Sequence, residues 1–175
     1  MVHDTKLCTK PNFLRLGFAF LFCLICEVHA ATFQTFFVKQ SSSLAGANNV
    51  LTFRIVVSRK VERGDALIFK GLTGTQTQDT ISLSLGGSKT DTFGTSGSWK
   101  QDSGELEIQL LKEMSPLTVY DLKITLKNGG MPSTGVKPSL EVKGQLPSKK
   151  TSDSAVLKVG AFKDLIAVAA TDTTD

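Results

Sequence analysis

The stretch Tyr120-Asp121-Leu122-Lys123-Ile124-Thr125-Leu126 decides the fold class, because its side chains alternate between apolar and polar. A period of two puts alternate side chains on one face of a β-strand, so this segment is predicted to bury one face and expose the other. The same alternation occurs in segments 51–57, 81–85 and 106–110, and weaker strand candidates occur at 32–38, 66–69, 140–142 and 155–159. The chain is therefore predicted to be all-β.

Glycine-bearing turns separate these segments, since glycine supplies the positive φ angles that tight turns require. They are Arg63-Gly64-Asp65, Gly86-Gly87-Ser88, 94–97, Asp102-Ser103-Gly104 and Asn128-Gly129-Gly130. Antiparallel strands without crossover helices must cover one another's apolar faces, which predicts an antiparallel two-sheet β-sandwich of about seven to nine strands. The predicted core includes Leu51, Phe53, Ile55, Ile81, Leu83, Leu106, Ile108, Tyr120, Leu122 and Ile124.

Residues 1–30 have the three-part layout of a secretory signal peptide. Basic side chains precede an apolar run from Leu16 to Cys26, and Val28-His29-Ala30 places small residues at the two recognition positions. The apolar run is short for a membrane-spanning helix, which needs about 20 residues. The sequence therefore predicts a helical signal peptide that is cleaved after Ala30, followed by secretion. An uncleaved membrane anchor is the alternative.

Cleavage of the signal peptide would remove every cysteine and histidine, which are Cys8, Cys23, Cys26, His3 and His29. Ser-His-Asp catalysis, Cys-His catalysis and zinc sites with His or Cys ligands are then excluded from the secreted chain. No cofactor, no metal site and no catalytic residue is predicted.

Carboxylates remain the candidate catalytic groups. Glu105 and Glu107 share one face of a strand, but Glu107 alternates with apolar neighbours and is expected on the solvent face rather than across a cleft. A calcium site is an alternative for three acidic residues near strand ends. These are Asp79, Asp91 and Asp102.

The basic residues are scattered along the chain, although the formal net charge is +4. This distribution predicts no nucleic-acid partner, and no membrane contact is predicted after signal cleavage. Arg63-Gly64-Asp65 spells an integrin-binding tripeptide, but the same residues favour a tight turn, and the turn is the preferred interpretation.

Two aromatic residues are candidates for special roles. Tyr120 follows Pro116-x-Thr118 at a strand start, as in the tyrosine corner of Greek-key sandwiches, and is predicted to be structural, with a ligand-contacting ring as the alternative. Trp99, in Gly97-Ser98-Trp99-Lys100, is interpreted as a buried plug of the sandwich. The ligand-binding alternative for Trp99 is a stacking platform for a sugar.

Segments 40–53 (QSSSLAGANNVLTF) and 67–77 (LIFKGLTGTQT) contain an N-x-L-T strand start and a G-L-T-G-x-Q-T turn, which a G-x-W segment at 97–99 and Gly104 follow. In this order they resemble an immunoglobulin-like β-sandwich repeat of large secreted or cell-surface proteins of unicellular algae and other protists. The resemblance covers roughly residues 32 to 142, with Lys70 where a small residue is usual. It implies an immunoglobulin-like fold and an adhesive or wall-associated role, and no catalytic activity.

The predicted organisation is a signal peptide at 1–30, a β-sandwich domain at 31–146, and a loop with a terminal strand or short helix at 147–175. Segment 156–162 is similar to 31–37, so the tail is also interpreted as the start of a truncated second repeat. The predicted function is a secreted, non-catalytic module with a structural, adhesive or ligand-binding role at the cell surface or in the extracellular matrix.

The expected partner is an extracellular glycan or protein, and segments 71–78 and 86–97 are its expected contact surfaces. A small secreted carboxylate-based hydrolase and a lectin-like carbohydrate-binding module are the alternatives.

Overall fold

The computed structural model describes residues 33–143 and 149–160, which contain nine β-strands and one short helix. The strands are β1 (Phe33–Gln40), β2 (Asn48–Val57), β3 (Ala66–Lys70), β4 (Thr80–Gly87), β5 (Ser96–Lys100), β6 (Glu105–Gln109), β7 (Val119–Lys127), β8 (Ser139–Val142) and β9 (Lys150–Thr151). The helix α1 (Thr90–Phe93) lies between β4 and β5. The predicted signal peptide and the tail beyond residue 160 lie outside the described residues.

The nine strands form one antiparallel sheet in the order β1-β2-β7-β4-β5-β6-β3-β8-β9. The sheet curls toward a barrel because β4 changes partner along its length. Residues 85–87 pair with β7, whereas Thr80, Leu83 and Ser84 pair with β5. The prediction of an all-β, antiparallel fold is confirmed.

The segment that follows β9 returns to β1 at the side chain of Gln40, the last residue of β1. Gln40 Nε2 donates to the carbonyl oxygen of Lys158 at 3.0 Å, and Gln40 Oε1 accepts the N–H of Lys158 at 2.9 Å. The N–H of Gly160 donates to the carbonyl oxygen of Ser43 at 3.0 Å. These bonds tie the last described residues to the end of β1.

The core fills the interior of the curled sheet. Register places Val38, Phe53 and Leu122 side by side on β1, β2 and β7, and all three are buried. Phe53 meets Phe69 of β3 across the interior, with ring centroids 4.8 Å apart. Aromatic contacts of this kind add about 0.5–1.5 kcal/mol to the free energy of area burial, so this pair joins the two halves of the sheet.

The structure corrects the predicted position of Ile81, which was expected in the core and is 89% exposed. The register of β4 against β5 shifts between Thr80 and Leu83, so β4 carries an extra residue there. Such a bulge breaks the alternation of side chains and turns Ile81 to solvent. Leu83 is half-buried.

The structure also describes three further segments that the sequence analysis named. Segment 155–159 forms isolated bridges at Val156 and Val159 rather than a strand. Segment 86–97, expected to be a contact surface, contains the end of β4, the helix α1 and the start of β5. After the sandwich segment, residues 150–151 form the short strand β9.

Candidate ligand-binding face

Asn49, from the N-x-L-T pattern of the sequence resemblance, forms a buried polar cluster with Asn128 at one end of the sheet. Asn49 Nδ2 donates to Asn128 Oδ1 at 2.8 Å, and both side chains are fully buried. Asn49 Oδ1 accepts the N–H groups of Ser41 and Ser42, at 3.0 and 3.2 Å. Asn128 Nδ2 donates to the carbonyl oxygens of Ser42 and Leu44, at 3.1 and 2.9 Å. The pair therefore holds the β1–β2 loop against the end of β7.

The 71–77 turn packs against the same end of the sheet. The N–H of Gln76 donates to the carbonyl oxygen of Lys127 at 2.9 Å, and the N–H of Lys127 donates to Thr77 Oγ1 at 2.7 Å. Gly104, with a φ of 60°, lies so close to this turn that a Cβ there would be 2.5 Å from the carbonyl carbon of Leu72. The backbone of the turn is thus engaged within the domain, although several of its side chains are exposed.

Trp99 lies in the core, with only 1% of its surface exposed. Its Nε1–H donates to the carbonyl oxygen of Thr77 at 3.0 Å. Trp99 pairs in register with Leu106, and both side chains point inward. An enclosed ring presents no face to a sugar, so the ligand-binding prediction for Trp99 is corrected.

Tyr120 is also buried, at the start of β7. Its phenol oxygen accepts the N–H of Ser115 at 2.7 Å, and its ring meets Phe93 of α1 edge-on at a centroid distance of 5.9 Å. The side chain therefore fixes the segment that enters β7 and holds α1 against the core.

Three of the carboxylates considered as catalytic groups or calcium ligands, namely Glu107, Asp91 and Asp79, have separate partners. Glu107 Oε1 accepts Lys143 Nζ at 2.8 Å. Asp91 accepts Lys112 Nζ at 3.0 Å, and this hydrogen bond lowers the pKa of Asp91. Over residues 33–143 and 149–160, no three Asp, Glu, His or Cys side chains are grouped as a metal site.

Two other acidic residues also make contacts within the domain. Asp79 Oδ1 accepts the N–H of Gln101 at 2.7 Å. Asp65 Oδ2 accepts the N–H of Glu62 at 3.2 Å, and Gly64 has a φ of 89°. The segment Arg63-Gly64-Asp65 is therefore a tight turn.

The outward side chains of β1, β2 and β7 form a continuous surface, which we term the cationic face. Strand register arranges it in rows that cross the strands. One row consists of Lys39, Thr52, Lys123 and Gly86, and the next consists of Phe37, Arg54 and Asp121. The face extends toward the C-terminal end of β7 through Val50, Thr125 and Lys127.

Positive charge exceeds negative charge on the cationic face. Arg54 donates to Asp121 through Nε at 2.9 Å and through Nη2 at 3.2 Å, and this bidentate contact lowers the pKa of Asp121 and neutralises Arg54. Lys39, Lys123 and Lys127 are exposed and, within the described part of the chain, form no ion pair. Lys39 Nζ lies 5.6 Å from the centroid of the Phe37 ring.

The outer surface of β3, β6 and β8 has the opposite arrangement, because its lysines are matched with acids. Lys70 pairs with Glu141, and Lys143 pairs with Glu107. Charge on that surface is therefore largely balanced, and the cationic face differs from it in charge rather than in strand structure.

Two shallow grooves lie side by side on the cationic face. One, of about 180 Å³, is lined by Phe37, Lys39, Thr52, Arg54 and Asp121. The other, of about 310 Å³, is lined by Val50, 83–86 and 123–125, where β4 turns away from β7 to pair with β5. They adjoin because Thr52 of the first is the register partner of Lys123 of the second.

The sequence interpretation did not identify this face, although a signal for it was present. Asp121, Lys123 and Thr125 are the polar positions of the stretch that decided the fold, so their outward direction was predictable. Their neighbours Lys39 and Arg54 come from other strands, and the alternation does not indicate which strands pair.

No helix within the described residues is long and apolar enough to cross a membrane. No protein-family model matches this chain, and no curated protein matches it either.

Proposed function

We propose that this protein is a secreted, non-catalytic, immunoglobulin-like β-sandwich module that binds an extracellular glycan or protein. In this proposal the two layers of the sandwich are the two halves of the curled sheet, one around β2 and β7 and the other around β3 and β6. The strand β4 belongs to both layers, since it pairs with β7 and with β5.

The observation that carries the ligand-binding role is the cationic face. Three exposed lysines there form no ion pair among the described residues and lie next to two adjoining grooves. Exposed charge without a partner inside the domain is available to a ligand outside it. The N-x-L-T motif of the resemblance instead supplies Asn49 to the buried cluster with Asn128, which supports a structural role for that motif.

The test is to express the full-length chain in a secreting eukaryotic host and purify it from the medium. The protein is applied to an array of neutral and acidic glycans and to immobilised extracellular matrix proteins. We expect reversible binding without chemical change of the ligand. Absence of binding to both sets would overturn the ligand-binding role. Polysaccharide turnover that a single Asp or Glu substitution abolishes would show a hydrolase instead.

A further inference from the structure

We propose that the ligand of the cationic face is a polyanionic polysaccharide, which carries sulfate or carboxylate groups along its length. This inference rests on the proposed ligand-binding function and narrows it to one class of partner. It follows from the spacing of the lysines, the shape of the grooves and the side chains between the charges.

The lysines are spread along the face rather than directed at one point. Lys39 and Lys123 belong to one row and flank Thr52, and since neighbouring strands lie about 4.8 Å apart, their Cα atoms are separated by about 10 Å. Lys127 lies four residues further along β7, about 13 Å from Lys123. One small anion cannot contact all three, whereas a polymer with repeated negative charges can.

The two grooves together cross three strand spacings, from β1 to β4, which is about 14 Å. That length accommodates a short segment of one extended sugar chain. The joined grooves therefore favour an extended chain over a compact anion.

The side chains between the lysines suit a sugar. Thr52 and Thr125 offer hydroxyl groups that can exchange hydrogen bonds with sugar hydroxyls. Gly86 has no side chain, so a ligand can approach the backbone at the end of the Lys39 row. Phe37 and Val50 add apolar surface for the apolar face of a sugar ring.

Binding is tested with dextran sulfate, a polysaccharide whose uncharged counterpart, dextran, is the matched control ligand. Affinities of the secreted full-length protein are measured by biolayer interferometry at 50 and 300 mM salt. We expect binding to dextran sulfate and not to dextran. Because the lysines are exposed, salt screening should weaken this binding by about tenfold or more between the two conditions.

Matched pairs of lysine substitutions, one pair on the cationic face and one outside it, test where dextran sulfate binds. Lys39→Gln with Lys123→Gln should lower the affinity for dextran sulfate by about tenfold, a loss of about 1.4 kcal/mol. Lys100→Gln with Lys137→Gln removes the same charge outside the cationic face and should change the affinity by less than about twofold. Lys39→Arg with Lys123→Arg keeps the charge and should retain binding. Circular dichroism verifies that each variant is folded.

Each other outcome overturns the inference. If both glutamine pairs weaken binding equally, the attraction is to net charge and not to this face. If the protein binds neutral glycans, matrix proteins or phosphatidylserine-containing vesicles but not dextran sulfate, the proposal of a polyanionic polysaccharide ligand is wrong. Binding to neutral glycans or to matrix proteins would still agree with the proposed function. If it binds no glycan and no protein, the proposed function fails as well.

Discussion

Asn49 and Asn128 hydrogen-bond to each other through Nδ2 and Oδ1 at 2.8 Å, and neither side chain is exposed to solvent. Burial of an amide without partners is costly, but here four backbone groups of the β1–β2 loop complete the network. Each amide thus adds hydrogen bonds to the loop beyond those that the loop makes internally. Asn49 begins the N-x-L-T pattern, so the pattern has a structural cause.

Replacement of Asn128 by Ala should destabilise the domain by about 1–3 kcal/mol, because Asn49 Nδ2 loses its acceptor and the carbonyl oxygens of Ser42 and Leu44 each lose one of two donors. Urea unfolding monitored by circular dichroism measures the change. The control is Asn48→Ala, at the exposed neighbour of Asn49, which should change stability by less than about 0.5 kcal/mol. Equal effects of the two variants would contradict the role of the buried pair.

The buried position of Trp99 predicts the fluorescence of the protein, since this is the only tryptophan in the chain. Emission of the native protein should be blue-shifted and poorly quenched by acrylamide, and it should shift to the red in urea. Trp99→Ala should destabilise the fold by about 3–5 kcal/mol. Strong quenching in the native state, or quenching by a bound sugar through direct contact, would show that Trp99 is exposed at the surface.

The alternation of apolar side chains predicted the central strands correctly. Leu51, Phe53 and Ile55 in β2 and Leu122 and Ile124 in β7 are buried as expected. In contrast, β5 was not predicted, because Gly97 and two serines leave Trp99 as its single large apolar residue. Gly97 is required there, since a Cβ would lie 2.9 Å from Leu106 Cδ1. Local patterns thus identify strands that alternate clearly, and only packing explains the others.

The bulge in β4 leads to a prediction about two residues that alternation treats as equivalent. Ile81→Ser should change stability by less than about 0.5 kcal/mol, because Ile81 is exposed. Leu85→Ser should cost about 2–4 kcal/mol of stability, because Leu85 is buried. Serine would leave a cavity and would place a hydroxyl without a hydrogen-bond partner in apolar surroundings. Thermal unfolding of the two variants checks this; similar losses would show that the bulge is absent.

The cationic face could be predicted only in part, for a physical reason. Alternation within β2 and β7 identifies Arg54 and Lys123 as outward residues, but the surface exists because β2 lies between β1 and β7 in the sheet. The register that places Lys39 in one row with Lys123 depends on contacts between strands distant in sequence. Sequence periodicity contains no information about those contacts.

Secretion remains a prediction of the sequence, and it can be measured directly. Expression of the full-length chain in a secreting host should yield a protein in the medium whose first residue is Ala31, because the apolar run is short and small residues precede the cleavage point. Edman degradation or mass spectrometry of the N-terminus identifies it. Recovery of a membrane-bound form that retains Met1 would support the uncleaved anchor.

The ion pair of Asp121 with Arg54 gives a prediction of increased binding. The lowered pKa of Asp121 keeps this carboxylate ionised at neutral pH, where it neutralises Arg54 and repels a polyanion. Asp121→Asn removes that charge and should raise the affinity for dextran sulfate by roughly threefold at 50 mM salt.

Glu107→Gln is the control for this increase, because it frees Lys143 by the same change of charge on the outer surface of β3, β6 and β8. Its affinity for dextran sulfate should remain within about 1.5-fold of the original protein if the ligand occupies the cationic face, since at about 50 mM salt exposed charges farther away than about 14 Å are largely screened. An unchanged affinity in Asp121→Asn would place the polysaccharide away from Arg54. An equal gain in both variants would mean that net charge alone determines binding.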